Sequence, residues 1–150
     1  MLDFTFLDEH NLSPYAESHY ARILELALRA LDIKAEMVGV SLRILNSDEM
    51  RQLNFEYRNK DKATDILSFP IHDDLVDRKN EIHDILELGD LALCVSVAQE
   101  KAEESGRSLE NEISFLIVHG LLHLIGYDHE RSKDEEIIMF RIQDDILAMI

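Results

Sequence analysis

The alternation of hydrophobic and polar residues along the chain predicts four β-strands, at residues 2–7, 38–45, 65–70 and 91–95. In the first two, alternate apolar residues share one face, which is the two-residue period of a half-buried strand. Residues 91–95 are almost continuously apolar, so we expect this strand to be central in a sheet. Pro70 ends the third strand. Gly89 and Asp90 are predicted to open the fourth strand, after a polar excursion without a clear period at 72–88.

Hydrophobic residues spaced three and four apart predict five helices. We expect them at 14 to about 31, 47 to 55, 96–105, 109–125 and 133–146. Polar N-cap residues supply the start signals; they are Ser13 (before Pro14), Asn46, Ser108 and Ser132. Asn46 and Ser132 each precede a glutamate by three residues, which is the pattern of a capping box. Gly106 and Gly126 follow two of the helices, where glycine commonly ends a helix.

The predicted order of elements is βαβαββααα, without internal repeats or low-complexity linkers. Such an order is typical of a sheet with helices packed on it. We therefore predict a single α+β domain over residues 1–150, built on a four-stranded mixed sheet. The helix at 109–125 carries histidines near the C-terminus, and its apolar stripe from Ile113 to Leu121 is expected in the core.

Composition is that of an ordinary globular domain: 150 residues, 46% hydrophobic and 31% charged. A chain of this length buries a core without disulfides. Cys94 is the only cysteine, which excludes an internal disulfide and a cysteine-cluster zinc site. The first residues lack the basic segment of a signal peptide, and the longest apolar run, 113–125, is shorter than a membrane span. These features predict a cytoplasmic protein with no membrane partner.

The formal net charge of −16 disfavours broad contact with nucleic acid, because affinity for phosphate comes largely from lysine and arginine. One short segment, 51–62, is nevertheless richer in bases than in acids. Its basic residues are Arg51, Arg58, Lys60 and Lys62. We expect any RNA binding to be local, weak and sensitive to salt.

Three histidines, at 119, 123 and 129, have the spacing of a metal site. His119 and His123 are four apart, so on a helix they lie on one face. A chain that turns back at Gly126 brings His129 toward them. A lone histidine on an apolar face is usually a core residue, but two unpaired buried imidazoles cost about 1–3 kcal/mol each, which a shared metal removes. Three histidines without a fourth protein ligand predict catalytic rather than structural zinc, although nickel, iron and copper also accept imidazole.

The same spacing, H-x-x-x-H-x-x-G-x-x-H, is the ligand pattern of the metzincin proteases. In those enzymes the residue after the first histidine is the glutamate that acts as general base. Here that residue is Gly120. Since a peptidase without this carboxylate lacks the group that takes the proton from water, the sequence argues against peptide hydrolysis.

Arg58 lies where a predicted helix ends and leads into the next strand. A guanidinium there is suited to hold a phosphate through two parallel hydrogen bonds, and a cation beside a metal stabilises the charge that builds up during hydrolysis at phosphorus. The alternative is a surface charge that complements the helix dipole. The position of Arg58 in the sequence leaves both roles open.

Segments 119–129 and 64–70, with Arg58 and Gly89-Asp90, resemble the YbeY family of bacterial metal-dependent endoribonucleases. The resemblance spans residues 42 to about 139. It implies a mixed sheet with helices, a zinc ion held by three histidines, and cleavage of single-stranded RNA. It also implies a role in maturing the 3′ end of small-subunit (16S) ribosomal RNA and in ribosome quality control.

Carried over by position, the resemblance assigns roles to single residues. Arg58 matches the functionally important arginine of the family, and Ser68 is expected to help shape the cleft. The implied metal ligands are His119, His123 and His129. Independently of the family, Asp128 stands beside the last histidine, where a carboxylate is expected to orient an imidazole ring.

The sequence thus predicts a zinc-dependent endoribonuclease whose substrate is single-stranded ribosomal RNA. No general base is evident, and both water and the 2′-hydroxyl of the substrate stay open as the attacking group. Two alternatives stand beside this prediction. One is a metzincin-like zinc hydrolase or peptidase. The other is a non-catalytic ribosome-assembly factor stabilised by zinc, which would unfold on chelation without turning over RNA.

Overall fold

One mixed sheet organises the chain, and the computed structural model describes all residues 1–150. Its strands are β1 (Leu2–Leu7), β2 (Met37–Leu45), β3 (Ile66–Pro70) and β4 (Ile85–Cys94). They lie in the order β1-β2-β4-β3. The pairs β1–β2 and β2–β4 are parallel, and β3 runs antiparallel to β4 at one edge. The predicted α+β class, the four-stranded mixed sheet and the central position of the fourth strand are confirmed.

Six helices accompany the sheet. They are α1 (Glu17–Ala30), α2 (Ser47–Arg58), α3 (Leu75–Arg78), α4 (Val95–Ser105), α5 (Leu109–Ile125) and α6 (Lys133–Leu147). Helix α5 is apolar on most of its circumference because it packs against β3 and β4 on one side and against α1, α4 and α6 on the others. Its predicted core stripe is fully buried. On the other face of the sheet α2 covers a smaller apolar cluster that includes Cys94, a buried free thiol.

The prediction that residues 72–88 form a polar segment without regular structure is wrong near both ends of that range. This range contains the short helix α3, and β4 begins at Ile85, well before the predicted start. Leu86 and Leu88 are buried, whereas Ile85 and Glu87 are exposed, so the two-residue period was present over only four residues. Gly89 does not open the strand but lies inside it, where the register with β2 shifts in a bulge.

The N-terminus of α1 also differs from its prediction. The helix begins at Glu17 with Ala16 as N-cap, not at Pro14. The Ser13 hydroxyl is engaged elsewhere, since it donates to the Tyr15 carbonyl and lies 2.6 Å from the Tyr20 hydroxyl. The same hydroxyl accepts from the Tyr15 N–H at 3.1 Å, so Ser13 closes a local turn over residues 13–15, and α1 begins after it.

The other start and stop signals behave as predicted. Asn46 and Glu49 form a reciprocal capping box. Ser108 accepts from the backbone of the first turn of α5, and Ser132 does so for α6. The carboxylate of Glu135, however, pairs with Arg131 rather than returning to the cap, so only half of the second box is formed. No helix is long and apolar enough to cross a bilayer.

Candidate metal centre

Three imidazole rings meet at the C-terminal end of α5 and the loop that follows it. The Nε2 atoms of His119 and His123 are 3.1 Å apart. The ring of His129 lies 5.1 Å from the first and 5.2 Å from the second, centroid to centroid. One nitrogen of each ring lies within 4.8 Å of the other two, and all three residues are half-buried. The structure therefore brings together the three histidines that the sequence singled out.

A tight turn after α5 returns the third ring to the helix. Gly126 has φ 111°, a left-handed conformation that residues with a Cβ rarely adopt. The N–H groups of Gly126 and Tyr127 both donate to the carbonyl of Leu122, which closes the helix end. The chain reverses within three residues, and His129 faces the last turn of the helix that it has just left.

The donor set fits one metal ion. Nitrogen ligands that share a tetrahedral zinc at 2.0–2.1 Å lie roughly 3.3 Å apart, and the shortest separation here is 3.1 Å. At this distance a protonated Nε2 of one ring can donate to the other, and with both Nε2 atoms unprotonated the two lone pairs can bind one cation. The group of His119, His123 and His129 can bind a metal ion.

A buried glutamine on α6 orients the first of these rings. The Nδ1–H of His119 donates to the side-chain oxygen of Gln143 at 3.0 Å. The Gln143 side chain is 0% exposed, and the ring is its sole hydrogen-bond partner. Because a carbonyl oxygen only accepts, Nδ1 must carry the proton, and the Nε2 lone pair is left for the centre.

The sequence analysis does not identify Gln143 as a residue of the site, because it lies far from the histidines along the chain. A signal did exist: the residue interrupts the apolar face that Met139 and Ile146 form on α6.

Two aromatic rings complete the surroundings of the three histidines. Phe115 stacks on His119 with a centroid distance of 5.9 Å, and Phe140 lies 5.8 Å from His129.

Burial favours the neutral form of two of the imidazoles, His119 and His123. Desolvation lowers the pKa of His123 to about 4, and the neighbouring rings of His119 and His129 add to this shift. Burial also lowers the pKa of His119, against a smaller opposing effect of its hydrogen bond to Gln143. Since a metal binds the unprotonated ring, these shifts keep both side chains ready for a cation at neutral pH.

Asp128 has partners other than an imidazole. Its carboxylate accepts from the N–H of Glu130 at 2.7 Å and lies 3.4 Å from the Arg131 guanidinium. The backbone hydrogen bond from Glu130 lowers the pKa of Asp128. No hydrogen bond joins this carboxylate to a histidine ring, so its predicted role in orienting an imidazole has no support in the geometry. Gln143 provides that contact instead.

The three rings line a cleft of about 640 Å³ that also contains Arg58 and Ser68. Arg58 is the last residue of α2 and is exposed, with Lys60 close behind it in the chain. No carboxylate lies within ion-pair distance of either cation. His72, which has no ligand spacing in the sequence, lines the cleft as well.

Four acidic residues line the cleft: Asp65 and Asp128 are paired with cations, whereas Asp73 and Glu130 have no ion pair. Asp65 pairs with Lys101 at 2.8 Å and accepts from the N–H of Ile66. Asp128 is engaged with Arg131. By contrast, Arg51 of the basic segment points away and pairs with Asp61 at 2.8 Å. The cations available to an anion in this cleft are therefore Arg58 and Lys60.

Close packing explains Gly120. A Cβ atom built on this residue would lie 2.8 Å from the side chain of Leu91 and 3.0 Å from that of Ile66. The hydroxyl of Ser68 donates to the Gly120 carbonyl at 3.2 Å, which fastens β3 to α5 at the same point. The position that holds the general base in metzincins here packs closely against the side chains of the sheet, and Leu91 and Ile66 would have to shift to admit a side chain.

The chain is similar to proteins of one family. A family model described as Endoribonuclease YbeY matches residues 5–150. The endoribonuclease YbeY of Latilactobacillus sakei is 38% identical, with 97% of this chain and 96% of the relative covered. That of Staphylococcus saprophyticus is 39% identical, with 98% and 95% covered. The solution structure of the Thermotoga maritima protein TM1509 matches with a TM-score of 0.65 at 26% identity, covering 97% of this chain and 87% of that one.

Proposed function

The chain belongs to the YbeY family of endoribonucleases, and from this premise we propose that it is a zinc-dependent enzyme that cleaves single-stranded RNA. The observation that carries the proposal is the cleft itself, in which three converging imidazoles and an unpaired guanidinium share one surface. The proposed metal ligands are His119, His123 and His129. Arg58 is the proposed catalytic residue, and residues 1–150 form the proposed single domain.

The side chains of the cleft have different proposed roles in the hydrolysis of a phosphodiester bond. A bound zinc ion supplies Lewis-acid chemistry toward a phosphate oxygen. The Arg58 guanidinium, free of any carboxylate, is available to hold the scissile phosphate through two parallel hydrogen bonds and to stabilise the charge that builds up on it. Gln143 keeps His119 in the tautomer that presents Nε2 to the cation. Ser68 supports the wall of the cleft through Gly120.

Cleavage assays on purified, zinc-loaded protein test this assignment. We expect single-stranded RNA to be cut and a matched duplex to be spared. His123→Ala should abolish both cleavage and tight zinc binding. Arg58→Ala should lower kcat/KM by on the order of a hundredfold, the loss typical of one transition-state contact, while the zinc content measured by atomic absorption stays unchanged.

Arg51→Ala is the matched control, because it removes an arginine from the same helix whose partner, Asp61, lies outside the cleft. Its activity should remain within about twofold of the parent protein. If Arg58→Ala also retains full activity, Arg58 is not catalytic. If the zinc-loaded parent protein leaves RNA intact, the proposed activity itself is wrong.

The substrate proposed for the cell is ribosomal RNA, with cleavage in the maturation of the 3′ end of 16S RNA and in ribosome quality control. Family membership supports this proposal, and it implies that the protein acts in the cytoplasm on the ribosome or its precursors. An accumulation of 3′-extended 16S RNA in cells that lack the protein, restored by the parent gene and not by the His123→Ala gene, would support it.

Peptide hydrolysis is disfavoured by the packing at Gly120. The Cβ of any side chain there would lie 2.8 Å from the Leu91 side chain, and no other carboxylate of α5 takes the place of the missing glutamate. A panel that compares casein peptides with RNA oligomers separates the two activities. Turnover of the peptides without turnover of RNA would favour the peptidase.

A further inference from the structure

A second groove, of about 520 Å³, lies beside the metal cleft and is not used by the proposed chemistry. Its apolar lining includes Leu7, Leu53 and Ala92, together with the rings of Tyr57 and Phe69. The volume lies in the range of roughly 300–1,000 Å³ that is typical of small-molecule sites. We call this surface the Tyr57 groove.

The two sites meet at β3, the edge strand of the sheet. Ser68 lines the metal cleft and Phe69 lines the Tyr57 groove, as expected for successive residues of a strand. The same division recurs at the end of α2, where Arg58 lines the cleft and its neighbour Tyr57 lines the groove. The two sites thus lie on either side of β3, and because β3 is an edge strand, a flexible ligand bound at Arg58 can reach the groove by passing around the edge of the sheet.

The ring of Tyr57 is exposed but held in place. It is 63% exposed, and it meets the Phe69 ring edge to face at a centroid distance of 5.1 Å. Such a contact restricts the ring without covering both of its faces. A fixed aromatic face above an apolar groove is the arrangement on which bases of single-stranded nucleic acids stack.

The charges around the two sites indicate which class of ligand can occupy both the groove and the cleft. The protein carries a net charge of −16, yet the cations at the junction, Arg58 and Lys60, are free of carboxylates. Polar groups also lie at the rim of the groove, where the Ser41 hydroxyl donates to the carboxylate of Asp90. An anionic backbone beside the cations and a flat heterocycle with hydrogen-bonding edges in the groove are the two parts of a nucleotide.

We propose that the Tyr57 groove binds one unpaired nucleobase of the RNA whose phosphate contacts Arg58, and that Tyr57 stacks on this base. The inference deepens the proposed function and rests on it. It also gives a physical reason for single-strand selectivity. A base in a duplex is already stacked and paired, so it reaches the groove only after leaving the helix, at an energetic cost.

Binding of an end-labelled single-stranded RNA oligomer, measured by fluorescence anisotropy on the zinc-loaded protein, tests the proposal. Tyr57→Ala should weaken binding on the order of tenfold, the loss expected for one base–aromatic stack. Tyr57→Phe should bind within about twofold of the parent protein, because it keeps the ring. Phe55→Ala is the matched control: Phe55 is 54% exposed on the same helix but does not line the groove.

A scan of abasic positions along the oligomer identifies the base. One position near the cleavage site should weaken binding to the parent protein by the same factor as Tyr57→Ala, and the two losses should not add, since they remove one contact. Equal affinity of Tyr57→Ala and Phe55→Ala, or abasic losses that are the same at every position, would overturn the groove assignment. A gel of the labelled oligomer after each titration shows that it is still intact, so the change in anisotropy reports binding, and absence of cleavage contradicts only the proposed activity.

Discussion

A hydrogen bond between a buried amide and an imidazole fixes which nitrogen of His119 carries the proton. The sequence places the three histidines on a helix end and a turn, and periodicity with a glycine stop is enough to predict that they meet. It gives no equivalent rule for Gln143, because a contact between α5 and α6 depends on how the two helices pack. Asp128 is the opposite case. Its position beside His129 in the sequence predicts a hydrogen bond to an imidazole, but its carboxylate contacts the backbone of Glu130 and the side chain of Arg131.

At this scale we predict that Gln143→Leu weakens zinc binding by about ten- to a hundredfold, the usual effect of removing the partner of a ligating histidine. Competition with a chromophoric chelator measures the affinity, and ¹⁵N NMR of the imidazoles reports whether His119 then populates the other tautomer. Gln143→Glu keeps an acceptor at the same place and should retain binding. Parent-like affinity and an unchanged tautomer in Gln143→Leu would show that Gln143 only fills space.

Secondary structure was predictable wherever a local signal decides it. The capping box of Asn46 and the stop at Gly126 are encoded within a few residues, and α2 and α5 were predicted accordingly. The signals failed where partners distant in sequence decide. The Ser13 hydroxyl contacts the Tyr20 hydroxyl and does not cap a helix at Pro14, and the first half of β4 is a strand because β2 pairs with it, which a two-residue period over only four residues did not indicate.

Helix α6 packs against α5 next to the three histidines. We therefore expect the bound ion to stabilise this pair of helices. Ligand binding stabilises the folded state in proportion to the logarithm of ligand concentration over Kd, about 4 kcal/mol at a thousandfold excess. Chelation should therefore lower Tm by several degrees. Hydrogen exchange should increase mainly in residues 126–150, while β2 and β4 stay protected.

This experiment also bears on the alternative of a non-catalytic assembly factor. A large loss of Tm on chelation, combined with no RNA turnover by the zinc-loaded protein, would favour that alternative. His123→Ala provides the matched comparison, because its Tm should be low from the start and insensitive to chelator. An unchanged Tm for the parent protein would mean that the ion does not join the two helices.

The whole molecule repels nucleic acid, and only a small area attracts it. A net charge of −16 acts over the range of the Debye length, about 10 Å at 0.1 M salt, whereas the two cations of the cleft act on contact. Recognition is thus confined to the neighbourhood of Arg58 and Lys60. The composition alone suggested weak, salt-sensitive binding, but it did not indicate that two of the four acidic residues of the cleft are paired with Lys101 and Arg131.

Because only Arg58 and Lys60 are available to phosphates, we predict a shallower salt dependence for RNA binding than the strong sensitivity that the composition suggested. Each phosphate contact with single-stranded nucleic acid contributes a slope of about −0.7 in log Kobs against log [salt], so two contacts give a slope of about −1.4. Arg58→Ala should reduce the magnitude of the slope by about 0.7, and Arg51→Ala should leave it unchanged. A slope several times steeper in the parent protein would mean that a much wider surface contacts RNA.

Because α6 contributes to the metal centre, the centre is completed late in the synthesis of the chain. His129 and Gln143 are synthesised long after the sheet, so a nascent chain carries an unfinished metal site until its final helix has left the ribosome and docked. Under the proposed function, the nascent chain has no nuclease activity before α6 has docked. The order of segments along the polypeptide thereby delays the onset of RNA cleavage until translation of the chain has passed α6.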